Sequence, residues 1–330
     1  MKCIIDNCEE KCINGHTLTK GIITKDLKES INKNDKVYTY ISDENKFKDI
    51  GWKKASTFKF TCEKHDRELF LPIENNIKID TKNSEQLFLH TFRSFSYVYT
   101  YKYNQLILNH EDILNDISKF SFNKCNQLVY NDIPISKADV WFQNFIHNKK
   151  ILLDNLNKKN HKDCNYITFT INKNIGISGC GVLNLPFIDM SGLNFISMEN
   201  NIPLVKNPMS ILTLLSKDDK TYVILSFNND NNTEMSLRQL LTIDFKYQNK
   251  FNIPGRNDYP IHFNIDFRDQ YSIDVLNVLS KLISNSCKDN IYIKPSIYDK
   301  NKTELTNLFN NKNYNMSDYL TNNINIFTLN

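Results

Sequence analysis

Residues able to bind a metal or move a proton are concentrated at the start of this 330-residue chain. Four of the eight cysteines fall within the first 62 residues, in the order Cys3-x4-Cys8-x3-Cys12-x3-His16, followed after a gap by Cys62-x2-His65-Asp66. Two short chelating knuckles separated by a long loop are the usual way for a chain to assemble a closed, tetrahedral site from thiolate and imidazole. Cys3, Cys8, Cys62 and His65 are therefore expected to share a structural Zn2+, in a region with too little core of its own. Asp6-Asn7 stands where a turn lets Cys3 and Cys8 converge. Cys12 is a surplus thiol with two readings: a substitute for Cys3 or Cys8, or a small buried apolar side chain.

Several short elements must position these residues. Thr24–Ile31 is expected as a helix with Thr24 as N-cap and Leu27 and Ile31 one turn apart. Val37–Ile41 alternates as a strand, 42–46 reads as a turn, and Ser56–Phe60 is a second extended segment running into Cys62. Pro72 limits a helix beginning at His65 to about two turns.

Beyond Glu74 the pattern changes. Ser84-Glu85 opens a helix with Phe88, Phe92, Phe95 and Tyr99 on one stripe, which reads as core packing. Further helices are expected over 111–120 and 136–157. From Asn165 the period becomes two: Tyr166–Ile171, Ile175–Leu185, and a hairpin of Ser210–Leu215 with Thr221–Phe227 across 217–220. Helices follow at Leu237–Phe245 and Ser272–Ile283, then a short extended segment to Pro295. The fold class is α+β: a zinc-bound head over 1–80, a helical connector over 81–162, and a body over 163–330 built on a mainly antiparallel sheet with helices.

Composition bounds the functional classes. Hydrophobic residues make up 40% and charged residues 24% of the chain, as in ordinary folded proteins. No run of about 18 apolar residues occurs and the N-terminus turns polar at once, so neither a membrane span, a membrane partner nor a secretory signal is expected. A cytoplasmic location is the default, with Cys125, Cys164, Cys180 and Cys287 as free core thiols. The net charge is +4, with 14 Lys and Arg against 13 Asp and Glu in residues 1–74. This balance weighs against a large DNA-wrapping surface but leaves room for a local contact.

The front of the chain resembles a known family. Cys3-x4-Cys8, then Gly15-His16-Thr17-Leu18-Thr19-Lys20, then Ser56-Thr57-Phe58-Lys59-Phe60-Thr61-Cys62-x2-His65-Asp66-x3-Phe70, is similar to zinc-containing HNH-type (ββα-metal) nucleases over about 70 residues. That resemblance implies Cys3, Cys8, Cys62 and His65 as zinc ligands and His16 as general base for phosphodiester hydrolysis of DNA or RNA. The chain departs from the family in two places. Ser56-Thr57 stands where those nucleases carry an Asn that orients the histidine, and only Asp66 stands where they carry a final metal-binding His or Asn, there to hold Mg2+ or Mn2+. The whole chain also resembles a group of bacterial proteins that shares these motifs and an Asp-Asn-Ile-Tyr-x-x-Pro stretch, here Asp289–Pro295; bacterial proteins that join an HNH-like head to an unrelated body are associated with anti-phage defence or mobile elements.

Two functions follow: a metal-dependent nucleic-acid hydrolase using His16 and Asp66, or a non-catalytic protein whose zinc head recognises another protein or a nucleic acid. Other constellations point to structure. Gly176-x2-Gly179-x-Gly181 lacks the following helix of a phosphate loop and reads as a bulged strand or turn. His90 and Arg93 read as a solvated helix face, with contact to a phosphate near the head as the alternative. His110, His147, His161 and His262 have no evident partner, and Ser178 lacks the surroundings of a nucleophile.

Overall fold

The structure is a computed structural model that describes residues 2–31, 34–74, 78–109, 120–122, 128–130, 133–134, 139–161, 163–184, 197–199, 202–204, 209–228, 237, 260–310 and 325–329. In chain order the elements begin with β1 (Asn14–His16), a π-helical turn at Ile22–Leu27, β2 (Glu29–Ile31), β3 (Asn34–Ile41), β4 (Lys46–Gly51), β5 (Thr57–Lys59), α1 (Glu63–Phe70) and α2 (Ser84–Asn109). Next come β6 (Phe120–Phe122), β7 (Leu128–Tyr130), β8 (Ile133–Pro134), α3 (Asp139–Asn157), β9 (Cys164–Ile171), β10 (Ile177–Asn184), β11 (Ser197–Glu199) and β12 (Ile202–Leu204). The chain continues through β13 (Met209–Lys217), β14 (Lys220–Asn228), β15 (Ile261–Ile265), α4 (Gln270–Ser286), β16 (Ile291–Ile293), α5 (Pro295–Lys300) and α6 (Lys302–Asn310).

A nine-stranded sheet organises the molecule, in the order β15-β9-β14-β13-β10-β16-β3-β2 with β4 also on β3. Its pairings are antiparallel except β15 with β9. This is an α+β fold. The stretch expected as a separate head thus contributes three strands to the sheet of the body, joined where Tyr38 and Thr39 face Ile293 and Tyr292.

Strand periodicity sends alternate residues to two cores. On one face Ile167, Phe169, Leu212, Leu214, Val223 and Leu225 pack with Val275, Leu276, Leu279 and Ile283 of α4. On the other, Tyr166, Ile211, Leu215, Tyr222 and Ile224 pack with the Phe88–Phe95 stripe of α2 and with Leu18, Phe60 and Phe70 of the N-terminal unit. The β13–β14 hairpin turns at Asp218-Asp219, between paired Lys217 and Lys220, with Asp218 left-handed at φ 54°. α2 is capped by Asn83, whose Oδ1 accepts from the Glu85 and Gln86 N–H groups at 3.0 and 3.1 Å.

Some expectations change. Residues 24–31 are not a helix capped by Thr24: the helical turn lies earlier and buries Ile22, Ile23 and Leu27, the Thr24 hydroxyl donates back to the Lys20 carbonyl at 2.9 Å, and Glu29–Ile31 pairs with β3. The Gly-rich segment is in part the turn expected: Gly176, left-handed at φ 65°, turns the chain into β10, whose pairing runs without a bulge. A Cβ at Gly181 would lie 1.9 Å from the Ser286 carbonyl oxygen and one at Gly179 2.4 Å from that of Asn290, so the glycines let the end of α4 press against β10. The helices expected over 111–120 and 237–245 fall outside the described residues, apart from Phe120, which opens β6, and the buried Leu237. Among the described residues no helix is long and apolar enough to cross a membrane.

Candidate metal centre and adjoining site

The first knuckle is a tight loop closed by a bridge between Lys2 and Lys11. Asn7 takes a left-handed conformation, φ 61°, and the Cys8 N–H donates to the Ile5 carbonyl at 3.2 Å, so the chain reverses between Cys3 and Cys8. Ile4 and Ile13 donate to the carbonyls of Phe60 and Thr61 at 2.7 and 2.8 Å, which fastens the loop to the chain entering Cys62. Cys62 is the N-cap of α1, and His65 lies on its first turn.

These elements bring Cys3, Cys8, Cys62 and His65 together, with one ligand atom from each all within 4.8 Å of one another. The Cys8 and Cys62 sulfurs are 3.8 Å apart, and His65 Nδ1 is 3.4 Å from Cys3 Sγ and 3.3 Å from Cys62 Sγ. Tetrahedral zinc bonds of about 2.3 Å to sulfur and about 2.0 Å to nitrogen imply sulfur–sulfur and sulfur–nitrogen edges of about 3.8 and about 3.5 Å. The donor set and its spacing fit, and the cluster could hold a metal such as zinc. Burial pushes the Cys3 thiol up to about 12. Burial also acts to raise Cys62, but backbone N–H groups of His65 and Lys64 and the thiols of Cys8 and Cys3 outweigh it and hold this thiol below its usual value. Cys12 stands apart from the four: its thiol donates to the Lys2 carbonyl at 2.9 Å, and it is only half-buried rather than a core side chain.

His16 is not part of the cluster. It ends β1, which pairs antiparallel with β5 so that His16 faces Thr57 and Gly15 faces Phe58, and α1 follows directly, giving a ββα unit. His16 Nδ1 lies 3.0 Å from the Ala55 carbonyl oxygen and 3.2 Å from Ser56 Oγ. A carbonyl only accepts, so Nδ1 carries the hydrogen and Nε2 is the atom left to take a proton. Burial lowers the imidazole pKa below 6.5, against the raising effect of the Ala55 contact; the charges of Arg93, Glu74 and Asp66 also reach the ring. Burial therefore favours the neutral form of the ring.

Asp66 stands one turn into α1. Its Oδ1 accepts from the Thr61 hydroxyl at 3.1 Å and lies 3.0 Å from where a Gly15 Cβ would be, with Phe60 Cε1 at 2.8 Å from the same point. Gly15 thus lets β1 approach α1 closely enough to set Asp66 beside the residue preceding His16.

Residues far away in sequence support this corner. Thr17 Oγ1 donates to Asn290 Oδ1 at 3.2 Å, and the Tyr292 hydroxyl lies against the Ser56 backbone, so the Asp289–Pro295 stretch underlies the His16 strand. Ser56, left-handed at φ 57°, makes the turn that delivers the Ala55 carbonyl. A backbone carbonyl has no sequence signature, and Asn290 offers none beyond its place in the Asp289–Pro295 motif. One other expectation is corrected: His90 and Arg93 do not form a solvated face but are 5% and 2% exposed, because α2 lies between the sheet and the ββα unit.

Of the remaining histidines, His161 stacks on Phe88 with ring centres 5.1 Å apart, and His262 contacts Thr168 Oγ1 at 2.9 Å and Asn264 Oδ1 at 3.2 Å. The side chains of His110 and His147 lie outside the described residues, as does Cys125. Cys164, Cys180 and Cys287 are buried free thiols, and Ser178 Oγ accepts the Ser216 N–H within the sheet. No protein-family model, curated protein or solved structure matches the chain.

Proposed function

We propose that the ββα unit of β1, β5 and α1 is a metal-dependent nucleic-acid hydrolase site of the HNH type, built on a structural zinc held by Cys3, Cys8, Cys62 and His65. The observation that carries this reading is the His16–Ala55 contact of 3.0 Å, which presents a neutral imidazole with Nε2 as its basic atom. A general base needs that state at working pH and a fixed orientation. The backbone carbonyl of Ala55, with the Ser56 hydroxyl, supplies the orientation for which the related nucleases use an Asn side chain. Asp66 has given one lone pair to Thr61 and keeps capacity for a hard cation. Mg2+ or Mn2+ bound there would neutralise the phosphate and stabilise the leaving oxygen. His16 takes the proton of the attacking water, and Asp66 fixes the side of the site from which the phosphate is held.

A second reading is favoured by one observation. Among the described residues only the Cys3, Cys8, Cys62 and His65 group gathers three or more potential metal ligands, so a catalytic ion would depend on Asp66 with little further support from the protein. In that reading the zinc unit is a recognition module for a protein or nucleic acid. Incubation of supercoiled plasmid, single-stranded DNA and RNA with the purified protein and Mg2+ or Mn2+ separates the two. The hydrolase reading predicts cleavage of at least one substrate that depends on the added metal; binding without cleavage of any of them supports the recognition module.

A further inference from the structure

The Arg93 guanidinium is buried with most of its hydrogen-bonding capacity unused. The side chain is 2% exposed; Nη2 donates to Glu74 Oε1 at 2.7 Å, and Cζ lies 4.0 Å from the centre of the Phe70 ring. Among the described residues Nε and Nη1 have no hydrogen-bond partner. Buried donors on a permanent cation are rarely left so, because the lost hydration is not replaced. The missing acceptors are oxygen atoms, and the charge favours an anion that brings several of them.

Two features bear on where such an anion would sit. Phe70, under the guanidinium, belongs to α1, the helix that carries Asp66, and its ring lies 5.8 Å from that of Phe60, which abuts Gly15. Glu74 is 28% exposed against 2% for Arg93, so the carboxylate lies nearer the surface than the guanidinium, and a ligand that reaches the buried Nε and Nη1 has to displace it. A guanidinium is well suited to holding such a ligand, since it never loses its charge, is weakly hydrated, and presents a planar fork to phosphate oxygens.

We propose that Arg93 binds a phosphoryl group against the ββα unit that carries His16, using the donors that Glu74 leaves unpaired. The identity of the group as a nucleic-acid phosphate rests on the hydrolase reading; the anion site itself does not. Glu74 then acts as a resident carboxylate that competes with the phosphate.

Binding is measured without added Mg2+ or Mn2+, so that no cleavage intervenes, using inorganic phosphate by calorimetry and labelled single- and double-stranded oligonucleotides by fluorescence anisotropy. The variants are Arg93→Lys, which keeps the charge and loses the fork, and Glu74→Gln, which removes the competing charge at a partly exposed position and leaves Arg93 in place. The proposal predicts about tenfold weaker binding in Arg93→Lys, with the salt dependence of oligonucleotide affinity unchanged because the positive charge is kept. It also predicts several-fold tighter binding in Glu74→Gln. Phosphate binding that oligonucleotides do not compete for assigns the site to a free phosphate compound; competition assigns it to the nucleic-acid backbone. No phosphate binding in the wild type, or affinities unchanged in both variants, overturns the proposal. Arg93-dependent binding in a protein that cleaves nothing would instead remove the hydrolase reading and leave the anion site standing.

Discussion

His16 Nδ1 and the Ala55 carbonyl oxygen are 3.0 Å apart, and this contact decides which ring nitrogen can act as a base. The ring must be the Nδ1–H tautomer when neutral, and burial keeps its pKa below 6.5. Nitrogen chemical shifts of His16 are therefore expected to report Nδ1–H and a bare Nε2 at neutral pH. In the cleavage reaction, activity should be lost only as the pH falls through this lowered pKa, giving an acid limb with its midpoint below 6.5. A midpoint at or above that value would mean that the ring is exposed and unpaired.

The metal centre makes a prediction that separates ligands from neighbours. With zinc at this cluster, as proposed, Cys62→Ser and Cys8→Ser should each abolish stoichiometric zinc and destabilise the N-terminal unit, because the ion would hold the two knuckles together. Cys12→Ser should leave zinc content unchanged, since that thiol is engaged by the Lys2 carbonyl at 2.9 Å. Elemental analysis of the purified variants checks both, and zinc loss in Cys12→Ser alone would reassign the ligand set.

Gly15→Ala should destabilise the protein by roughly 1–3 kcal/mol in urea unfolding, as expected for overpacking. The added methyl would sit 2.8 Å from Phe60 Cε1 and 3.0 Å from Asp66 Oδ1. Phe60 is fully buried and has no room to retreat, so the strain falls partly on Asp66 and metal-dependent cleavage should drop as well.

His90 gives a stability signature in acid. Burial, helped by the positive charges of Arg93 and Lys217, lowers its pKa to about 3 from 6.5. The unfolded chain then binds a proton that the folded chain refuses. The His90 contribution is fully present above 6.5 and is lost as the pH falls from there towards 3, with a slope approaching about 1.4 kcal/mol per pH unit. His90→Gln should flatten that part of the stability profile; an unchanged slope would show that the imidazole accepts its proton without opening the structure.

The clustering of Cys3, Cys8, Cys62 and His65 could be read from the sequence because their chemistry is rare and their spacing short. The sheet was legible from Tyr166–Ile171 and the Thr221–Phe227 hairpin, where alternation reports burial directly. The incorporation of β2–β4 into that sheet was not, because no local pattern in Val37–Ile41 says that its partner is Ile291–Ile293, some 250 residues away. The Thr24 assignment failed because a threonine hydroxyl serves equally as an N-cap and as a donor to the carbonyl one turn back. Arg93 was misplaced because its stripe of phenylalanines accounts for only one face of α2, and the ββα unit covers the face that carries the guanidinium. The two contacts that suit His16 to act as a base come from a backbone carbonyl and a left-handed serine, neither of which a residue pattern displays.

The role of His16 is tested most directly by the plasmid nicking rate of His16→Ala with Mg2+ or Mn2+, in a preparation whose zinc content equals that of the wild type. The predicted result is a rate lower by about 10²–10⁴-fold with zinc retained, as for loss of a general base. Nicking at the wild-type rate, or loss of zinc together with activity, would contradict the assignment of His16 as a base separate from the metal centre.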